Sequence, residues 1–387
     1  QGGSDVAIQA IQHYFRNINQ QIRAVDDLRA TAAARHRHAL LALAERAWRR
    51  KLTQVEAKEI QEFYQELRDQ ERLDHEEAMR DSVVSILMSP HFMFRVDLGS
   101  AGSGKRPLTR GELASRLSYF LWSTTPDEAL LRWVSTQQGA VIGRDVSRQA
   151  ERLLRDEKIR GLATEFAANW LDIRRFEEHN SVDRDRFPAF DDELRRAMFE
   201  EPIRFFVDLV RHDRSVLTML DADHTFVNGV LANHYGVADI DVRSKAWVRV
   251  EQPKRYGRGG LLPMSVFLTK NAPGLRTSPV KRGYWVVRQL LGERIPPPPP
   301  NVPELPADES QLGDLSLPEM LARHRDNPSC AGCHDRFDAI GLAFEGYGPV
   351  GERRTHDLGG RPVTVVAQFP GGETGSGLDG LVDYLRK

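Results

Sequence analysis

The chain has 387 residues, of which 40% are hydrophobic and 28% are charged. This composition supports a large hydrophobic core, and the length predicts two or three domains. The 54 lysines and arginines balance the 55 aspartates and glutamates, so no bulk charge attracts the chain to nucleic acid or to an anionic membrane. No apolar run is long enough to span a bilayer, and the first residues do not resemble a signal peptide. We therefore expect no nucleic-acid partner, no transmembrane segment of the chain's own, and an export signal that has already been removed.

The start of the chain shows the periodicity of an amphipathic helix. Apolar residues recur there at alternating three- and four-residue steps, which predicts a single apolar face. The residues of this face are Ile8, Ile11, Phe15, Ile18, Ile22 and Val25. The pattern favours a helix that faces the core of a bundle, because a dimerising coiled coil needs more heptads. Further helices are predicted at about 38–50 and about 54–70, the second beginning at a capping box of Thr53 and Glu56.

The middle of the chain also reads as helical. Thr109 and Glu112 form a second capping box before another amphipathic stretch. A long helix near 190–211 contains Pro202, which should kink it or divide it in two. His212 and His224 lie close to several aspartates, but their spacing is typical of loops and helix caps and not of a metal site.

The composition changes from about residue 240. Glycines interrupt the periodicity between 257 and 274, and residues 296–306 hold seven of the 21 prolines. The proline run predicts a stiff, extended polyproline II spacer. After it, the sequence predicts a helix capped by Ser316 and Glu319 and a short β segment at 363–366.

The only two cysteines of the chain lie in the motif Cys330-Ala331-Gly332-Cys333-His334. This C-x-x-C-H spacing is that of a c-type haem attachment site, in which each thiol forms a thioether with one haem vinyl group. The adjoining histidine can then bind the iron. Cys330, Cys333 and His334 are therefore the predicted ligands of one covalent haem c. The second ring nitrogen of His334 is expected to donate to a backbone carbonyl.

A zinc site and a thioredoxin-like dithiol agree less well with this motif. A zinc site would need two more soft ligands, yet no other cysteine exists and only His324 and His356 lie near in sequence. A thioredoxin-like dithiol would need a preceding strand and would not require His334. Because covalent haem is attached outside the bacterial cytoplasm, we expect a periplasmic protein or one on the extracellular face of the cell envelope.

The sixth iron ligand separates electron carriers from haem enzymes. No methionine follows the haem motif, so a thioether ligand must come from elsewhere in the chain. Met264 is the preferred candidate, because it lies in the irregular glycine-rich segment that could approach a flat ring. Its apolar neighbours in sequence make a gap-filling position in the core the alternative for this residue. His356 is the next choice. Met320, His324 and an open or water-bound position remain as alternatives.

The stretch 276–282 predicts the start of a helix with basic neighbours. Thr277 or Ser278 can cap this helix, and Pro279 suits its first turn. Arg276, Lys281 and Arg282, together with the helix start, would attract an anion, and haem propionates bound by Arg276 and Lys281 are the expected case. An ordinary solvated cap is the alternative.

Five segments of the sequence match the pattern of a known family: residues 44–53 (AERAWRRKLT), 89–96 (SPHFMFRV), 112–123 (ELASRLSYFLWS), 276–285 (RTSPVKRGYW) and 330–346. Through them the chain resembles the planctomycete-type exported multidomain c-type cytochromes, which consist of successive domains of unknown function and a C-x-x-C-H haem domain. It implies a haem and export but no established reaction. Phe337 departs from the family pattern, since relatives often have methionine there. Family members often carry further domains, so this chain is expected to be a short member or a fragment.

The sequence therefore predicts a mainly α protein: multi-helical bundle domains followed by a small C-terminal c-type haem domain with a short β segment. The expected division is an N-terminal helical domain (1–100), a central helical domain (101–240), a Gly/Pro-rich segment packing on the haem (241–306) and a cytochrome c-like domain (307–387). The predicted function is electron transfer to redox protein partners or within a multi-subunit electron-transfer complex. A haem enzyme of peroxidase or oxidase type with an open distal site is the first alternative, and a helical structural subunit is the second.

Overall fold

The computed structural model describes residues 4–95, 106–136, 143–296, 306–311, 313, 315–325 and 328–387, without the side chains of residues 136, 324 and 328–330. Most of the predicted polyproline spacer lies outside these residues. The described chain is mainly helical with two small antiparallel sheets, which confirms the predicted fold class. It forms two compact units, residues 1–151 and 152–387. The finer division into four domains stays a prediction.

The described part of the first unit consists of helices. They are α1 (Asp5–Trp48), α2 (Gln54–Asp69), α3 (His75–Met88), α4 (Pro90–Met93), α5 (Arg110–Trp122), α6 (Glu128–Thr136) and α7 (Gly143–Arg155), the last of which runs into the second unit. Both predicted capping boxes are confirmed at the starts of α2 and α5. A third, at Asp74 and Glu77, begins α3.

Helix α1 joins two helices that the apolar periodicity separates. It continues without a break from Asp5 to Trp48, because residues 26–37 are rich in alanine and arginine and contain neither glycine nor proline. The predicted apolar face near its start is exposed, with Phe15 at 58% exposure. The prediction that this face packs against the core of a bundle is therefore wrong in the structure of the single chain.

The core of the first unit lies at the other end of α1. Leu40, Ala44 and Ala47 pack there against Ile86 of α3. Arg49 ends α1 in the left-handed conformation, with φ of 61°. Its guanidinium donates to the backbone carbonyls of His91, at 2.6 Å, and Phe94, at 3.0 Å.

The second unit combines helices with both sheets. Its helices after α7 are α8 (Ala168–Trp170), α9 (Asp192–Arg211), α10 (Thr218–Asp221), α11 (Gly229–Tyr235), α12 (Ser265–Lys270), α13 (Pro279–Trp285), α14 (Leu317–Arg325), α15 (Pro328–Leu342) and α16 (Gly377–Leu385). Its strands are β1 (His224–Val227), β2 (Val248–Glu251), β3 (Val366–Gln368) and β4 (Thr374–Ser376). Strand β1 pairs antiparallel with β2, and β3 pairs antiparallel with β4.

Two predictions for this unit need adjustment. Helix α9 contains Pro202 but continues through it as one helix, so the expected division into two does not occur. The short β segment starts at Val366, where the predicted stretch ends, because pairing with β4 defines the strand. The predicted cap of Ser316 is confirmed, since its hydroxyl accepts from the Glu319 amide at 3.4 Å.

Candidate functional site

Helix α15 carries the cysteine–histidine motif in its first turns. Positions 330, 333 and 334 are separated by three and four residues, so they share one face of the helix. Cys333 is partly exposed, whereas the side chain of Cys330 lies outside the described residues. The helix thus presents the two cysteine positions and the histidine on the same side.

His334 is held by a carboxylate four residues further along the same helix. Its Nδ1 lies 2.9 Å from Oδ1 of Asp338. The ring also lies 5.1 Å from that of Phe337, between centroids. The predicted partner of this nitrogen was a backbone carbonyl, and that prediction is wrong. The i, i+4 spacing of a helix brings Asp338 to the ring instead.

Asp338 is fully buried, with 0% of its side chain exposed. Its second oxygen, Oδ2, lies 4.0 Å from Nε of Arg325 in α14. Among the described residues, none hydrogen-bonds to Oδ2. The carboxylate is therefore oriented by His334 on one side and faces an arginine on the other.

Helix α13 packs directly against the motif helix. A Cβ atom at Gly283 would lie 1.8 Å from the carbonyl oxygen of Phe337, and one at Gly341 would lie 1.8 Å from that of Pro279. Tyr284 meets Phe337 edge to face, with 6.1 Å between ring centroids. The two backbones are in contact because both crossing positions are glycine, and this contact places α13 beside the turn that bears His334.

The start of α13 has the predicted cap. Ser278 accepts from the Lys281 amide at 3.2 Å, and Pro279 occupies the first turn. Arg276 donates from Nε to the Pro306 carbonyl at 2.7 Å, and burial lowers its pKa although Glu309 opposes this. Lys281 as a whole residue is exposed, but its amine lies close enough to neighbouring groups to be partly buried. This burial lowers the pKa of Lys281, and the charge of Arg276 lowers it further. The role of Arg276 and Lys281 toward a propionate stays a prediction.

Arg282 has a different position from the one its sequence suggested. It was expected to add to the anion-attracting charge at the helix start, but its side chain is 1% exposed. It donates to the Tyr347 carbonyl at 2.7 Å and to the Gly348 carbonyl at 2.6 Å. Burial lowers its pKa to about 10. Arg282 therefore joins α13 to the loop after α15 and is not available to a soluble anion.

The candidates for the sixth ligand lie in different surroundings. Met264 precedes α12 and is 1% exposed, so its thioether lies in the core of the second unit. His356 is exposed, and its Nδ1 lies 3.0 Å from the hydroxyl of Thr355. The side chain of His324 lies outside the described residues. Met264 as the axial ligand stays a prediction.

The donor set fits a haem better than a bare metal ion. Within the described part of the chain, no three His, Cys, Asp or Glu side chains are grouped as a metal site requires. Two cysteine positions and one histidine on a single helix face are instead what covalent attachment of one haem needs. Asp338 contacts Nδ1 of His334, so Nε2 is the ring nitrogen that would bind the iron of a haem.

Sequence reasoning missed Asp338. The sequence contains a signal for this contact, because an aspartate four residues after His334 lies one turn further along the same helix face. Sequence alone does not distinguish this partner from a backbone carbonyl, because both groups accept a hydrogen bond from a metal-binding histidine.

Comparison with known proteins finds three family models along the chain. Each model describes a family of proteins of unknown function. The DUF1595 model matches residues 35–97, the DUF1592 model matches residues 108–237, and the DUF1588 model matches residues 258–357. The short name of the third, PSCyt3, hints at a cytochrome-like domain family. No curated protein and no solved structure matches the chain. In the described residues, no helix has both the length and the apolar character to cross a membrane.

Proposed function

This chain belongs to the planctomycete-type family in which the DUF1595, DUF1592 and DUF1588 domains follow one another, and we propose that it is a c-type cytochrome with one covalent haem on α15. The observation that carries the proposal is the position of His334, on the same helix face as both cysteines and held by a buried carboxylate. A haem bound there would supply a one-electron redox centre.

Each residue of the site has a separate role in this proposal. Cys330 and Cys333 anchor the haem through thioethers, and His334 binds the iron through Nε2. Asp338 keeps Nδ1 of that ring protonated and fixes the ring orientation. Helix α13 supports the turn from the other side through Tyr284 and Phe337. Arg276 and Lys281 at its start would hold the propionates.

Electron transfer is the reaction that this site supports best. A redox protein or another subunit of an electron-transfer complex would be the partner, and covalent haem attachment assigns the protein to the outer side of the bacterial cytoplasmic membrane. Met264, if it moves from the core to the iron, would complete six-coordination and raise the potential.

The carboxylate at His334 also favours a second candidate, a haem enzyme of peroxidase or oxidase type. A histidine that donates to a carboxylate is a more basic ligand and stabilises oxidised iron. Such an enzyme would leave the sixth position open to a small molecule. The burial of Met264 agrees with this candidate.

The first prediction is that the protein carries one haem that survives denaturation. We expect mass spectrometry of the denatured chain, expressed in a host with haem-attachment machinery, to show the mass of the chain plus one haem. C330S and C333S should weaken or abolish attachment, because each removes one thioether. H334A should retain haem but lose the normal spectrum of His-ligated iron.

The same samples separate the two candidates. A low-spin, six-coordinate spectrum in both redox states supports the electron carrier. A high-spin spectrum that changes with carbon monoxide or peroxide supports the enzyme. An unmodified chain mass from the competent host would contradict both.

A further inference from the structure

The carboxylate of Asp338 is unusual for its surroundings. It is fully buried, one oxygen contacts His334 at 2.9 Å, and the other faces Arg325 at 4.0 Å without a hydrogen bond from any described residue. Burying a charged group with only part of its hydrogen-bonding capacity satisfied costs stability. A neutral residue at this place would pack at lower cost, so stability alone does not explain the carboxylate.

The contact has a direct chemical effect on the histidine. An imidazole that donates its Nδ1 proton to a carboxylate gains electron density at Nε2 and becomes a stronger donor to a metal. Burial strengthens this effect, because the low local dielectric leaves the carboxylate charge unscreened. The distant guanidinium of Arg325 balances the carboxylate without competing for Oδ1, which is the oxygen that contacts the ring.

We propose that Asp338 is a positioning residue that tunes the haem iron through His334: it fixes the plane of the ring and lowers the reduction potential of the iron by strengthening the histidine as a donor. This inference rests on the proposed function, since it needs a haem on α15. It deepens that function by assigning the site to the lower-potential range among haem centres with the same sixth ligand.

The test compares the reduction potential of the wild-type protein with that of Asp338→Asn, both carrying haem. The asparagine keeps the size of the side chain and can still accept a hydrogen bond, but it has no charge. We expect the potential of Asp338→Asn to rise and the iron–histidine stretching frequency to fall, because the histidine becomes a weaker donor. The stretching frequency is measured on the reduced, five-coordinate iron that photolysis of the carbon monoxide complex leaves, so it can be read whether or not a sixth ligand is bound in the resting protein. Asp338→Glu keeps a carboxylate and should return both quantities toward the wild-type values.

Asp335→Asn is the matched control. Asp335 is exposed on the same helix, one residue after His334, so its substitution removes the same charge near the motif without removing the Asp338 contact. We expect it to leave the stretching frequency unchanged and to shift the potential less. Far-UV circular dichroism of each variant checks that the fold is kept.

The outcomes are distinguishable. If the wild-type protein carries no haem, the proposed function fails. If haem is attached but Asp338→Asn leaves both the potential and the stretching frequency at the wild-type values, the positioning role of Asp338 is overturned while the cytochrome proposal stands. Equal shifts in Asp338→Asn and Asp335→Asn would also overturn it, because they would show a simple charge effect.

Discussion

Glu201 in helix α9 is a carboxyl group whose surroundings oppose its ionisation. It is 0% exposed, and it accepts hydrogen bonds from the hydroxyls of Thr225, at 2.6 Å, and Tyr235, at 2.5 Å. Burial raises the pKa of Glu201 from 4.5 to about 7, although both hydrogen bonds and the charge of Arg258 oppose the rise. The folded protein therefore holds a proton at Glu201 over a pH range in which the unfolded chain has lost it.

This difference predicts that Glu201 makes the protein less stable as the pH rises. Between about pH 4.5 and pH 7 the folded state binds more protons than the unfolded state, so the free energy of unfolding falls through this window and then levels off. The shift corresponds to about 3 kcal/mol. We expect E201Q to remove this part of the pH dependence, measured as urea unfolding midpoints from pH 4.5 to 8. E200Q, which changes the neighbouring and partly exposed carboxyl, should keep it, and parallel curves for wild type and E201Q would contradict the prediction.

Single residues of this kind were only partly predictable from the sequence. The proposed role of Cys330, Cys333 and His334 depends on covalent chemistry that requires a fixed spacing, so the sequence alone is enough to predict it. The contact of Asp338 with His334 was also predictable, because the two residues are four positions apart on a helix. Glu201 was not, because its hydrogen-bond partners lie 24 and 34 residues away in sequence and become neighbours only in the folded unit.

The contact between helices α13 and α15 depends on two glycines. Neither position tolerates a Cβ atom, since the opposite backbone carbonyl lies 1.8 Å from where that atom would be. A backbone oxygen cannot rotate away as a side chain can, so the helices themselves would have to separate. The support that α13 gives to the His334 turn therefore depends on Gly283 and Gly341.

We expect G341A to lower the free energy of unfolding by about 3 kcal/mol, the upper part of the usual range for overpacking. In haem-loaded protein it should also alter the absorption spectrum, because the displaced helix disturbs the turn with His334. G332A is the control: it lies on the same helix, no atom of the described residues lies within 4 Å of the added Cβ, and alanine favours a helix over glycine. Chemical denaturation of both variants measures the difference, and equal stability of G341A and wild type would exclude close contact of these helices.

At the level of elements, local signals predicted helix starts well. The capping boxes at Thr53 and Thr109 and the cap at Ser278 are all present, because a cap is a contact within four residues. Helix continuity was harder. The apolar periodicity ends near Val25, whereas the alanine-rich stretch that follows propagates the helix to Trp48. Apolar periodicity identifies one face of a helix, which at the start of α1 is exposed, and the helix can extend well beyond that face.

Across the second unit, a buried ionic network joins segments far apart in the chain. Arg354 donates to Glu309 at 2.8 Å and to Glu345 at 2.6 Å. The hydroxyl of Thr277 lies 3.1 Å from Glu309 and 2.8 Å from Glu345, so its one proton can be donated to either carboxylate, and its backbone amide donates to Glu309. All four side chains are largely or fully buried. The network connects the residue before the cap of α13 to the loop that follows α15, so it joins segments adjacent to both helices of the proposed haem site.

No sequence signal indicated this network. Arg354 and Thr277 are 77 residues apart, and Arg354 and Glu309 are 45 apart. Charged residues are usually exposed, so their burial could be anticipated only from the tertiary arrangement that brings them together. The predicted role of 276–282 as a helix start was correct, but the reason for Thr277 lies in this long-range contact.

Removing the arginine should destabilise the whole second unit. In R354M, Glu309 and Glu345 would remain buried without their shared cation, and the loss of one partner from a buried pair costs about 3–5 kcal/mol. The arginine also holds the pKa of Glu309 below its usual value against the effect of burial, so the stabilisation from Glu309 is lost as the pH falls through its folded pKa. Burial raises the pKa of Glu345, so the contribution of that carboxyl group to the pH dependence has the opposite sign. R353M changes the exposed neighbour and should stay within about 0.5 kcal/mol of wild type. Urea unfolding near pH 7, followed by circular dichroism, compares the three proteins, and a midpoint for R354M equal to that of R353M would show that the network does not hold the unit together.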